Sequence, residues 1–370
     1  MISLQINGQN VKELRRVRDN AVVWSGADGG GKRKFFYSTD ISKSNEDRLI
    51  AKILTTNLIL VARRDTSILN DIIADTYALY DINKKSYLFS TRITNSPEVK
   101  YFVDAFYDED VHRVYIVRKN DSLTCIDDID AKTGNIITSS SMFNDGDNIF
   151  AMFNGVQVVY VRKPVYGIFV GVYDKYKRTI TEMSGKDLGY EYESLIFKYC
   201  LRDNKLFLAY QNKLKWIDIE TKQVNTTSEI GFFSLFPDIE NNNYLYGYYN
   251  GNINQYIVYR DRVRKLLSYS YSLDNKKDPF GNRMGTPTDS TIYYKGKIYS
   301  ISLVKNCYVM SIYDTLTNQT QFKVTGADGV LFNENGFCVL NYSFKKEFPF
   351  NQKMYAIEPL DTYDELTNIY

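Results

Sequence analysis

Residues 26–33 read GADGGGKR, and Gly26, Gly31 and Lys32 have the spacing with which a glycine-rich loop wraps phosphate groups in backbone N–H donors. That chemistry needs two more parts: a Ser or Thr after the lysine to hold Mg²⁺, and a helix whose N-terminus faces the phosphates. Arg33 stands where the hydroxyl is required, and the following FFYSTDI is strand-like, so this segment reads as a flexible turn or linker. A second GADG, at 326–329, has no lysine behind it. Two acidic runs, Asp108-Glu109-Asp110 and Asp127-Asp128 with Asp130, raise glycoside cleavage, which needs paired carboxylates across a cleft. Each run reads as a turn, and nothing in the linear sequence brings two of the acids together. NDGDN at 144–148 resembles part of a calcium loop but lacks the closing bidentate glutamate. His112 is the single histidine and sits in a strand-like run, which excludes sites built from two or three imidazoles. No catalytic residue, metal ligand or cofactor is therefore expected, and the chain reads as a non-enzyme.

Tyrosine offers a different chemistry. YLYGYYN at 244–250 carries Tyr244, Tyr246, Tyr248 and Tyr249, and IYYKGKIY at 292–299 carries Tyr293 and Tyr294. Sugars stack on aromatic faces, which makes these six the candidate ligand-binding residues. The competing reading is packing: on an alternating strand one face goes to the core and the other coats the surface.

The elements that must position these groups follow from a repeat. An apolar strand, an acidic residue and a polar turn recur at Asp81, Asp130, Asp174, Asp218, Asp261, Asp314 and, more weakly, Glu358. The spacings are 49, 44, 44, 43, 53 and 44 residues. A period near 44 in a strand-rich chain is that of four-stranded propeller blades. Residues 101–142 show one unit: YFVDAFYD, RVYIVRK, LTCIDDI and IITSSSM, separated by turn residues that tolerate positive φ. The repeated acid has a structural use in such a unit, since a carboxylate at a strand end can accept the N–H groups of the turn. The expected fold is all-β, a β-propeller of four-stranded blades, seven by the count of phrases and six as the second choice. The long spacing before Asp314 includes residues 272–290, rich in Gly, Pro, Asn and Asp, which reads as an exposed loop.

Composition agrees. Among 370 residues there are 32 Tyr and 21 Phe but two Trp, a bias toward pleated, half-buried surfaces. The 46 basic and 44 acidic side chains leave a net charge of +2, too little to draw in nucleic acid. Cys125, Cys200, Cys307 and Cys338 are far apart and lie in apolar strand runs, so they read as buried free thiols of a chain made in a reducing cytosol. The N-terminus has no apolar signal region, and no apolar run is long enough to span or insert into a bilayer.

Residues 1–34 fall outside the repeat and read as a small β segment with a Gly-rich hinge, leaving 35–370 for the propeller. KFFYSTDI at 34–41 could supply an extra strand beside the last blade, and SNEDRLIAKIL at 44–54 could form a short helix capped by Ser44. The first 24 residues, MISLQINGQNVKELRRVRDNAVVW, resemble the N-terminal segments of tail and baseplate proteins from phages of low-GC Gram-positive bacteria. The resemblance implies a virion protein attached to other virion proteins through this segment, acting as structure or as a receptor-binding protein for host surface polysaccharide. Two alternatives remain open: an intracellular propeller scaffold that binds proteins through its faces, and a carboxylate-dependent glycan-cleaving propeller enzyme.

Overall fold

The computed structural model describes residues 4–6, 9–11, 13–15, 22–25, 34–37, 49–66, 73–94, 101–119, 123–143, 148–163, 169–184, 196–202, 204–210, 213–230, 234–249, 251–259, 262–270, 291–304, 307–325, 327, 329–333, 336–345 and 351–360. They include seven four-stranded antiparallel sheets, the blades of a β-propeller, six of them meanders of sequence-adjacent strands and the seventh completed by a strand from the N-terminal region. No helix among them is long and apolar enough to cross a membrane.

The chain divides into two compact units, one of residues 40–230 and one of 1–39 with 231–370. The first holds four blades, beginning at Leu49, Tyr101, Asn148 and Ile196 and numbered 1 to 4 here. The second holds blades 5, 6 and 7, beginning at Ser234, Thr291 and Gly329.

The middle strands explain the stacking. Arg113–Lys119 and Leu123–Asp130 are buried along almost their whole length, as strands covered on both faces must be. Outermost strands carry the water-facing residues, as Val263–Ser270 does. Within each unit, successive blades share an apolar cluster: Leu60 and Leu79 of blade 1 pack with Val114 and Ile116 of blade 2, and Val159 and Val172 of blade 3 with Leu206 and Ile217 of blade 4.

The four strands expected over 101–142 form at Tyr101–Asp108, Arg113–Lys119, Leu123–Asp130 and Ile136–Phe143. Strand Lys34–Tyr37 pairs antiparallel with Asn351–Pro359, so the N-terminal region supplies the fourth strand of blade 7, and the expected boundary at 34 falls at the start of this strand. Two short hairpins precede it, Leu4–Ile6 with Gln9–Val11 and Glu13–Arg15 with Val22–Ser25.

Two expectations are corrected. Leu49–Ile53 is a strand, not part of a helix, because the adjacent Leu58–Thr66 gives its backbone groups an antiparallel partner. Ser44 lies outside the described residues, as do GADGGGKR, 272–290 and most of NDGDN. His112 lies in a turn, not in a strand: its φ is 52°, and its carbonyl accepts the Ala131 N–H at 2.9 Å. The chain must reverse between Asp108 and Arg113, and His112 is the left-handed residue of that reversal.

Gly171 shows how tightly a blade is built. It pairs with Tyr160 on one side and Glu182 on the other. The buried Tyr160 ring lies across it so that the hydroxyl donates to Glu182 Oε1 at 2.6 Å. A Cβ on residue 171 would lie 2.0 Å from Tyr160 Cζ. Gly171→Ala should therefore destabilise the chain by about 1–3 kcal/mol through overpacking, read as a lower urea midpoint at unchanged slope. An unchanged midpoint would mean the ring does not lie over the glycine.

Candidate functional site

The repeated acids are turn formers. Asp81, Asp130, Asp174 and Asp314 each end a strand, and one carboxylate oxygen of each accepts the N–H groups two and three residues on, at 2.8 to 3.0 Å. Asp218 accepts the Thr221 N–H at 2.8 Å. The residue four past each acid turns left-handed: Lys85, Gly134, Arg178, Lys222 and Asn318 have φ of 53°, 75°, 57°, 60° and 57°. Asp261 lies outside the described residues. Glu358 is different: it is buried, and Lys323 Nζ of blade 6 donates to its Oε2 at 3.2 Å.

Of the two acidic runs, Asp108-Glu109-Asp110 lies at the expected turn, where Asp108 Oδ1 accepts the Asp110 N–H at 3.2 Å, whereas Asp127 and Asp128 do not lie at one. Asp127 and Asp128 are mid-strand and buried, and because strand residues alternate they point to opposite faces. Asp127 takes Arg118 Nε at 2.5 Å and Nη2 at 3.0 Å, together with the Ser139 hydroxyl. The Cys125 thiol donates to it at 3.6 Å, and burial pushes that thiol up to about 12, so it stays protonated. Asp128 Oδ2 accepts Arg113 Nη1 at 3.0 Å and the Tyr173 hydroxyl of blade 3 at 3.1 Å. Burial pushes the Asp128 carboxyl up, against the pull of Arg113. Asp108 ends its strand, buried, and takes the buried Lys175 Nζ from the hairpin of blade 3 at 2.5 Å. Cys200 and Cys338 are also buried free thiols. No group of three or more His, Cys, Asp or Glu positioned for a metal ion occurs among the described residues.

The six tyrosines gather in blades 5 and 6. Tyr246 is fully buried, stacked on Phe236 at 5.6 Å and on Tyr293 at 4.3 Å, with its oxygen accepting Gln255 Nε2 at 2.8 Å. Tyr248 is buried in the same cluster, while Tyr244 and Tyr293 pack against it half-exposed. Tyr294 is half-buried with Lys295 Nζ 5.1 Å from its ring centre. The Tyr249 side chain lies outside the described residues. Packing between blades accounts for Tyr246 and Tyr248; Tyr244, Tyr293 and Tyr294 keep some surface.

A cleft that the linear sequence does not announce lies between blades 3 and 4, at the end carrying the acidic turns. It encloses about 450 Å³. Its floor is Val172, Met183 and Ile219, part of the shared apolar cluster. Four charged residues stand around it, Asp174 and Lys177 from one turn and Glu220 and Lys222 from the next, so the lining is neutral overall. Gln157, Thr179, Thr181 and Asn204 supply uncharged polar groups. Gln157 Oε1 is buried and accepts no hydrogen bond among the described residues.

Register explains why this junction is open. One fourth-strand position faces the residue four before the acid: Thr91 opposite Tyr77, Ser140 opposite Ile126, Lys323 opposite Met310. In each case that side chain fastens the next blade. Thr91 donates to the Gly134 carbonyl, Ser140 to the Arg178 carbonyl at 2.8 Å, and Lys323 to Glu358. In blade 3 the position is Met183, opposite Val170, and a thioether cannot donate. The Lys222 turn stands where the Gly134 and Arg178 turns are latched, and the cleft occupies the space. Only the pairing register aligns these positions, which is why sequence reading missed Gln157, Thr181 and Met183.

No protein-family model matches the chain, and no curated protein matches its sequence. Among solved structures it is similar to an uncharacterized protein from Listeria monocytogenes, with a TM-score of 0.51 at 13% identity over 80% of this chain and 89% of that one. The β-propeller domain of the Trilobed protease from Pyrococcus furiosus gives a TM-score of 0.49 at 11% identity over 86% and 97% of the two chains. The WD40 domain of SCAP from fission yeast gives 0.44 at 8% identity over 89% and 95%. At these identities the likeness is one of fold.

Backbone N–H groups of Thr133 and Lys177 hold the Asp130 and Asp174 carboxyls below the usual range. Burial pushes Asp314 up, but the N–H groups of Thr317 and Leu316 outweigh it and leave it lowered. Such groups add stability that is complete above the unfolded value of about 3.9 and is lost as pH falls through the folded value. Replacing all three with Asn keeps the turn acceptor and removes the titration. Denaturation across a pH series should then show a shallower loss of stability below pH about 4; an unchanged acid limb would refute the assignment. Arg118→Met should cost about 3–5 kcal/mol by leaving Asp127 charged and unpaired, whereas Arg118→Met with Asp127→Leu should recover most of that loss. Equal losses in the single and double variants would show the pair is not coupled.

Proposed function

We propose that this chain is a non-enzymatic binding propeller, a tail or baseplate protein of a phage of low-GC Gram-positive bacteria that recognises or presents a binder for host cell-wall polysaccharide. The observation that carries the binding part is the use made of the acids. The turn acids are tied to backbone N–H groups, and Asp108, Asp127, Asp128, Glu182 and Glu358 are held by Lys175, Arg118, Arg113, Arg162 and Lys323. A glycan-cleaving mechanism needs one carboxylate free to donate a proton and a second free to attack or activate water. Carboxylates fixed in cation pairs favour recognition over that chemistry. The tail or baseplate setting rests on the N-terminal resemblance. It gains support from Leu4–Ile6, Gln9–Val11, Glu13–Arg15 and Val22–Ser25, which form their own two-stranded sheets apart from the blade sheets.

Pull-down by purified Gram-positive cell walls tests this reading. The expected outcome is retention on intact walls, loss after the covalently attached polymers are stripped, and no release of reducing ends. No retention on either preparation would refute wall recognition and favour a protein-binding scaffold. Release of reducing ends would favour the enzyme.

A further inference from the structure

We infer that the cleft between blades 3 and 4 is a saccharide-binding site that takes an uncharged, hydroxyl-rich ligand the size of a mono- or disaccharide. The inference rests on the wall-recognition reading above for its biological source, and on the cleft alone for its chemistry.

The strongest pointer is Gln157. Its Oε1 is buried at the cleft and receives no donor among the described residues. A buried acceptor left without a donor is costly, so turning the Gln157 amide toward the cleft to meet a ligand O–H or N–H would relieve that cost. The charges narrow the class. Lys177 and Lys222 are balanced by Asp174 and Glu220, so neither a polyanion nor a polycation finds a complementary field. Hydroxyl groups both donate and accept, which matches a lining that offers carboxylate and amide acceptors beside ammonium and threonine donors. The apolar floor of Val172, Met183 and Ile219 suits the C–H face of a sugar ring. The volume of about 450 Å³ lies within the span of small-molecule sites.

The latch position gives the inference its second support. Three junctions within the two units are fastened through Thr91, Ser140 and Lys323, and the junction with the cleft has Met183 there. Met183 thus removes the latch seen at those junctions, leaving Asn154 Nδ2 donating to Asn204 Oδ1 of blade 4 at 3.4 Å, and one substitution tests whether restoring the latch closes the cleft. Met183→Thr places a hydroxyl at the register position of Thr91 in blade 1, across the cleft from the Lys222 turn that corresponds to the Gly134 turn.

The test uses the full chain and three proteins: wild type, Gln157→Leu and Met183→Thr. Saturation-transfer NMR is run with methyl glucoside, methyl galactoside and N-acetylglucosamine, with citrate and spermidine as charged probes. Thermal unfolding is followed for each protein. Wild type should bind at least one sugar and neither charged probe. Both variants should lose that binding by tenfold or more, with Met183→Thr unfolding at the same or a higher temperature, so that the loss is not one of folding. The inference is overturned if no sugar binds, if only a charged probe binds, or if both folded variants bind sugar as wild type does. Wall pull-down of the same proteins separates the two readings. Equal retention of all three on walls would keep wall recognition and refute the cleft as its site. Sugar binding lost in the variants without wall retention by wild type would keep the cleft and refute wall recognition.

Discussion

A strand-end carboxylate that accepts backbone N–H groups of the turn is the contact on which blades 1 to 4 and 6 depend. It fixes the turn after the third strand, forces the residue four places on into the left-handed region, and so sets where the fourth strand begins. Because the fourth strand faces the neighbouring blade, its register decides which side chain meets the next turn. The same local device, copied from blade to blade, therefore governs both the hairpin and the junction. In blades 1, 2, 3 and 6 variation enters through one position, occupied by Thr91, Ser140, Met183 and Lys323.

Between blades the interior is not purely apolar. Arg118 with Asp127, Lys175 with Asp108 and Arg162 with Glu182 are pairs in which both partners are largely removed from water. Such pairs contribute little net stability but punish any arrangement that separates them. Lys175 reaches from blade 3 into blade 2, and Tyr173 does the same to Asp128, so these groups also specify which blade follows which. Arg162 additionally lies 3.6 Å over the Phe169 ring, joining the charged pair to the aromatic packing.

The strands and turns of the blades are legible in the sequence because both are local signals. The strand runs and turn residues of 101–142 and the strand-end acids all report on neighbours a few residues away. Blade number follows from their period, and the N-terminal strand at 34–37 is visible as a β-like stretch outside the repeat. What fails is whatever depends on a partner in another strand. Leu49–Ile53 has a helix-compatible sequence and becomes a strand through Leu58–Thr66. Asp127 and Asp128 read as part of a turn, yet they are mid-strand and their cations, Arg118 and Arg113, come from the adjacent strand. Tyr246 reads equally as a sugar platform or a core residue until Phe236 and Tyr293 are seen on its two faces. The cleft is the extreme case, because it arises from what Met183 cannot do for a turn in another blade.

The pairing of Lys34–Tyr37 with residues 354–357 has a consequence for how the chain is made. Blade 7 joins segments separated by roughly 300 residues, a contact of the most non-local kind, which forms late and slowly. During synthesis the early strand must wait, unpaired, until the final strands leave the ribosome. An open strand edge held for that long is a template for pairing with another chain. A nascent copy beside it could donate its own final strands, making intermolecular exchange of this one sheet the characteristic misassembly of the protein. A stop in translation before Asn351–Pro359 would leave Lys34–Tyr37 without its partner strand and carry the same hazard.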